Sequence, residues 1–287
     1  MYLQILVNSL ISGSLYAAIA FGFTLIYGTM NFFNMAYGAN VLIGAYTFYV
    51  LYTRCGIPLA ISVVLACVIT AALMLLVDRV CYYRFRHKRV PGWTAVVVSM
   101  AVATFFSAVI AIIFGSAKVT VYGKIPKSLA ILPNVRITTI QLVSLAATVL
   151  LMLAMSLFLK KTKTGKMIRA SSDDNTMAQV VGIDVERAYA AIIVVGSVLA
   201  TVAGIMSAMD TDLRPTIAST SLLKAIVATC IGGAGNVKGA MIAAFVLGLI
   251  ENIAVLYIGS GWRDAIPLVV VILVLVARPS VFGIEES

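Results

Sequence analysis

The fold class this sequence predicts is all-α: a polytopic transmembrane helical bundle of eight or nine segments, some of them short or broken. Three observations predict it. Of the 287 residues, 62% are hydrophobic and 11% charged, and the mean hydropathy is +1.06. A soluble domain carries about 25% charged residues and has no place to hide this much apolar surface. The apolar residues also gather in runs near the ~20 that cross ~30 Å of hydrocarbon. Finally, the net charge of +10 resides in short basic runs between apolar stretches. Loops facing an anionic leaflet have that pattern, and the aromatic–basic interleaving of a nucleic-acid surface does not appear.

The segments follow in order. Leu3 to Tyr27 has spanning length, and no Lys or Arg precedes it, so it reads as a retained helix rather than a cleaved signal. Gly38 to Tyr52 is shorter and follows an Asn/Gly-rich junction. Pro58 to Val77 ends at Asp78-Arg79. Trp93 to Phe114, Thr138 to Leu159, Ala188 to Ala208, the short Leu222 to Ile231, Lys238 to Tyr257 and Ala265 to Val276 complete the set. Gly196, Ala200, Gly204 and Ala208 form a small-residue stripe that lets another helix approach closely.

Two basic clusters orient the bundle. Arg84, Arg86, Lys88 and Arg89 lie in one connection; Lys160, Lys161, Lys163, Lys166, Arg169 and Arg187 lie in another. Both are expected inside, with two spans between them, which puts the N-terminus outside and the Arg278-Pro279 ending in the cytoplasm. The loop from Gly115 to Ile137 then falls outside although it holds Lys118, Lys124, Lys127 and Arg136.

The connection from Lys160 to Arg187 is long for a loop between spans. Ser171 and Asp174 fit an S-x-x-D/E capping pattern, with Asp173 and Asp174 at the positive end of the helix dipole. Thr176 to Val181 then form helical turns, and Gly182 suits a left-handed C′ position. Such a helix either seats in a soluble partner or simply joins two spans. Two junctions break the helical pattern, Tyr27 to Asn40 and Gly232 to Asn236. Broken backbone within a bilayer is tolerated only inside protein or beside water, so Asn31, Asn34, Gly38, Asn40, Gly232, Gly233, Gly235 and Asn236 are candidate pathway residues; ordinary surface turns are the alternative. The runs that follow, GANVLIGAYTFYV and GNVKGAMIAAFVL, hint at an internal duplication. Glu251 is the one ionisable group clearly within an expected span, Lys224 and Lys238 being nearer segment ends. It either pairs with Lys224 and neighbouring polar groups or contacts substrate.

Chemistry is otherwise sparse. Cys55, Cys67, Cys81 and Cys230 share no metal-ligand spacing, and His87 is the only histidine. A Walker A motif ending at Gly165-Lys166 fails because Lys160 stands where its first glycine belongs. No catalytic site, metal or cofactor is expected in the chain.

Four stretches resemble the permease subunits of ABC importers for branched-chain amino acids, of the LivH/LivM type. They are Phe23 to Gly28 with Asn31 to Gly38, Thr164 to Ala170 with Ala178 to Val185, Gly232 to Ala240, and Arg263-Asp264-Ala265 with Ala277-Arg278-Pro279 and Phe282-Gly283. The resemblance covers essentially the whole chain. It implies a single permease domain over residues 1–287 in a bacterial inner membrane, with 160–187 as its cytoplasmic coupling loop. It implies a second homologous permease, two ATPase subunits that bind ATP and Mg, and an external solute-binding protein delivering leucine, isoleucine, valine or related amino acids. Asp174, Thr176, Ala178, Gln179 and Gly182 become the candidate ATPase-coupling residues, although Met177-Ala178-Gln179 stands where relatives often show an acidic residue and two alanines. Permeases for urea or short amides belong to the same circle. From another class, a self-sufficient channel or secondary carrier would need no ATPase.

Overall fold

The computed structural model describes residues 2–87, 92–121, 128–132 and 135–277. Lys88, Arg89, Lys124, Lys127 and the stretch containing Arg278-Pro279 and Phe282-Gly283 lie outside them. Twelve α-helices run through the described residues: α1 (Tyr2–Met30), α2 (Tyr37–Tyr49), α3 (Leu59–Val77), α4 (Tyr83–His87), α5 (Gly92–Phe114), α6 (Thr139–Lys161), α7 (Lys163–Asp173), α8 (Asn175–Val180), α9 (Val185–Asp210), α10 (Ile217–Gly232), α11 (Val237–Ile258) and α12 (Ile266–Ala277). All nine expected segments correspond to helices. Six are long and apolar enough to span a membrane: α1, α3 with its extension to Tyr82, α5, α6, α9 and α11.

Their burial sorts them into a centre and a ring. The most apolar stretches of α1 and α9 are 89% and 72% buried, whereas that of α5 is 11% buried. α1 packs along α9, α10 and α11, and α2 is clasped between α9, α3 and α10. The ring helices turn Met100, Phe105, Ile112, Leu150 and Leu153 outward, the surface a helix shows to lipid rather than water. The small-residue stripe lies on the central helix, with Gly196 against Ile26 and Gly204 against the Val41 backbone.

Four expectations need correction. First, the helix through Val77 does not stop at Asp78-Arg79. It passes through a π-helical turn, Asp78–Tyr82, into α4, and the Arg86 guanidinium reaches back to clamp the Asp78 carboxylate at 2.6 and 3.0 Å. Second, the short segment begins earlier, at Ile217, so Lys224 sits in mid-helix and is buried. The polar run Ala218-Ser219-Thr220-Ser221 disguised this first turn. Third, the connection after α5, expected only as an outer loop, includes a short antiparallel pair, β1 (Ser128–Leu132) and β2 (Val135–Thr138), which leaves the all-α class standing. Earlier in that connection Val119 exchanges both backbone hydrogen bonds with Leu213, at 2.9 Å each.

Fourth, the two junctions that looked alike in sequence are unlike in space. The break at residues 31–36, between α1 and α2, is matched in length by the break at residues 211–216, between α9 and α10. Each six-residue break turns the chain back into the protein, and each returning helix is preceded by a residue of nearly the same conformation, Ala36 (φ −65°, ψ −12°) and Thr216 (φ −69°, ψ −11°). The first turns of α2 and α10 cross at Gly38, where an added Cβ would lie 2.6 Å from the Ala218 carbonyl oxygen. Only a residue without a side chain admits that approach.

Candidate functional site

The long connection after α6 forms a compact unit at one end of the bundle. Thr162 starts α7 by accepting from the Gly165 amide at 3.0 Å. Gly165, Ile168 and Ser171 form its buried face, one residue per turn. Because α7 continues through Ser171 to Asp173, the S-x-x-D pattern does not cap the next helix. Asp174 does so itself: its backbone is extended (φ −156°, ψ 110°), and its carboxylate accepts from the Thr176 and Met177 amides at 2.7 and 3.0 Å. The end of α8 is fixed as firmly. The Gly182 amide donates to the Gln179 carbonyl and the Ile183 amide to the Ala178 carbonyl, at 3.0 and 2.9 Å, a Schellman arrangement. It requires the left-handed φ of +86° found at Gly182, which an L side chain adopts only at a cost.

Within α8, Ala178 is the buried residue. Asp174, Thr176, Gln179 and Gly182 are exposed, and so are three apolar side chains, Met177, Val180 and Val181, at 64%, 77% and 79%. Beside them a groove of about 730 Å³ opens, lined by Gln179, Gly182, Asp184, Glu186, Tyr189 and Arg86. Arg86 bridges Asp78 and Glu186 and covers the Tyr189 ring at 4.6 Å. Burial works against its charge, but the hydrogen bonds and attraction of the two carboxylates more than restore it, and its pKa lies above the ordinary arginine value. The same unit is tied to the centre of the bundle. Thr29 at the end of α1 shares a 2.8 Å hydrogen bond with Ser172, and Asn175 donates to the Thr29 carbonyl.

The candidate pathway residues separate into three places. Asn31 is exposed and ends α1 with φ +56°. Asn34 is buried in the first break and Asn40 in the first turn of α2: Asn34 accepts from the Ala36 amide and the Tyr82 hydroxyl, and Asn40 donates to Ser197. Gly38 meets Ala218 there. Gly232, Gly233 and Gly235 form the turn between α10 and α11, which packs at Gly28 near the α8 end, and the exposed Asn236 caps α11 by accepting from the Gly239 amide. Glu251 lies on α11, paired with Lys224 of α10.

Sequence reading singled out Glu251 and offered a pairing with Lys224 as one alternative, but not the group they belong to. The Glu251 carboxylate is fully buried. It accepts from the Tyr16 hydroxyl at 2.8 Å and from Arg263 Nε at 2.5 Å, while Lys224 Nζ stands 3.2 Å away and itself donates to Tyr16 Oη at 2.6 Å. This cluster floors a cavity of about 270 Å³ between α1, α9, α10 and the segment before α12, with Asp210, Asp212 and Asp264 among its lining residues. The only advance signals were Lys224 and Glu251 inside apolar runs and the Arg263-Asp264 pair.

A polytopic bundle with re-entering helices, a capped element standing off one end and a charged cavity toward the other defines a membrane transport subunit. A family model described as branched-chain amino acid transport system permease component matches residues 5–275, and the chain belongs to that family. It is 30% identical to the high-affinity branched-chain amino acid permease LivH of Escherichia coli K12, over 97% of this chain and 94% of the relative. It is 29% identical to BraD of Pseudomonas aeruginosa, over 97% and 94%. A probable LivH of Methanocaldococcus jannaschii is 26% identical over 96% and 90%. Among solved structures, PsaBC from Streptococcus pneumoniae in complex with Fab shares the fold with TM-score 0.53 and 16% identity, over 96% of this chain and 90% of that one.

Proposed function

We propose that this chain is the permease of an ATP-driven importer for branched-chain or related amino acids, with α8 as the element that receives the ATPase. The observation that carries the reading is α8 itself. A six-residue helix fixed by a cap at each end, off the spans and presenting Met177, Val180 and Val181 to water, is built to enter a partner's groove. The relatives are permeases of branched-chain amino acid transport systems, which supports the cargo class. The partners in this reading are a second homologous permease, two ATPase subunits holding ATP and Mg, and a solute-binding protein. The basic residues of α4, α6 and α7 gather at the α8 end, which in this reading faces the cytoplasm, with the start of α1 outside.

The test is leucine uptake into proteoliposomes holding the assembled transporter with internal ATP and external binding protein. ATP-dependent uptake that is lost in Gly182→Val supports the reading. Uptake by this chain alone without ATP overturns it.

A further inference from the structure

We propose that the cavity above Glu251 is a subsite for an amino acid with an apolar side chain, whose α-carboxylate is received by Lys224. The choice of cargo class rests on the importer reading; the charge selectivity rests on the geometry. Two cations, Lys224 and Arg263, converge on one buried carboxylate, Glu251, and the lining adds Arg214 beside Asp210, Asp212 and Asp264, so cationic and anionic groups face one cavity. A protonated lysine has three N–H donors. Tyr16 and Glu251 take two of them, and Nζ is held at a fixed place by both and by the Tyr16 ring face at 4.2 Å. The remaining donor serves an anion in the cavity, which Lys224 lines.

The surrounding surface completes the match to a zwitterion. α10 starts at this cavity with no side-chain cap on its first amides, so the positive end of its dipole adds to the attraction for a carboxylate. Asp210 and Asp264 in the lining offer acceptors for an ammonium group, and Leu15, Ile19 and Ile217 give an apolar wall. The volume of about 270 Å³ falls just below the ~300–1,000 Å³ of ligand pockets in general, which suits one small amino acid rather than a peptide.

The test is equilibrium binding to the full chain in lipid nanodiscs, with three probes: leucine, leucinamide, which lacks the carboxylate, and 4-methylpentanoate, which lacks the ammonium. Leucine is expected to bind about tenfold or more tightly than leucinamide, as loss of one charge-assisted hydrogen bond implies. 4-Methylpentanoate is expected to retain part of the affinity. Lys224→Met should remove the preference for the carboxylate and Lys224→Arg should keep most of it. Equal binding of leucine and leucinamide by the unaltered chain, or no binding of leucine, overturns the proposal without relying on any variant. So does a Lys224→Met chain that still prefers leucine. These measurements need no ATP, so their failure leaves the importer reading standing, and failure of ATP-driven uptake leaves the binding comparison intact.

Discussion

Replacing Glu251 by Gln keeps the side chain's size and removes the carboxylate on which Lys224 and Arg263 converge. The structure says where the cost falls. Arg263 has 42% of its side chain exposed and can turn to water, whereas Lys224 has 11% and cannot. Breaking a buried ion pair by removing one partner costs about 3–5 kcal/mol because the other charge stays buried. Since Gln retains one acceptor and Arg263 can relax, the lower end applies, about 3 kcal/mol. At ~2–4 °C per kcal/mol for a chain of this size, the expected loss is about 6–12 °C in Tm, read by thermal unfolding in detergent micelles. A companion variant isolates the cause. Lys224→Met in the Glu251→Gln background removes the stranded cation and should recover part of the loss, a positive coupling of about 1–3 kcal/mol. A Glu251→Gln chain that melts within about 2 °C of the unaltered protein, or a double variant whose losses simply add, refutes the reasoning that one carboxylate compensates a buried lysine.

Three further outcomes follow from the same geometry. Asp174→Ala removes the cap that accepts from two amides and should cost α8 about 1 kcal/mol; hydrogen exchange at Thr176 and Met177 should quicken about fivefold. Arg86→Gln leaves the buried Asp78 uncompensated and should lower stability by about 3 kcal/mol in thermal unfolding. Arg86→Lys should restore little of that, because a point charge cannot reproduce the two-pronged contact to Asp78 and the third to Glu186. Gly38→Val places a branched side chain against the Ala218 carbonyl and Leu222 and should cost about 1–3 kcal/mol by overpacking, with Gly38→Ala melting between Val and the native chain.

How far the sequence could be read depended on whether a feature was local. The nine apolar segments were legible because spanning length and hydropathy are properties of one stretch. The turn chemistry at Gly182 was legible for the same reason, since a helix end is decided within a few residues. The cap was misplaced by one turn: Ser171 satisfies the capping pattern, but its side chain lies on the face of α7 buried against the bundle, and only tertiary packing decides that α7 continues past it. The start of α10 was hidden because its first turn is polar and lines a cavity. Lys224 then read as a segment end, although its compensating charge comes from another helix. The pairing of the breaks failed for a related reason. Glycine and asparagine mark both an exposed turn and a re-entering chain, so composition matched Gly232–Asn236 to the first junction, while the backbone matches residues 211–216 to residues 31–36.

That correspondence bears on how the two ends of the molecule communicate. α1 carries Tyr16 at the cavity and Thr29 against Ser172 and Asn175. α9 carries Asp210 at the cavity and Glu186 against Arg86. α10 carries Lys224 at the cavity and ends at Gly232, in the turn that packs against Gly28. Each of these three helices thus runs unbroken from the cavity to the end of the bundle where α7 and α8 stand, and the side chains of Thr29, Ser172 and Asn175 tie α1 to that end. Rigid rods alone would only carry the whole bundle along. The two six-residue breaks supply the places where one rod can shift against another, and each leads into the first turn of α2 or α10, which touch at Gly38. A movement at one break therefore bears directly on the other.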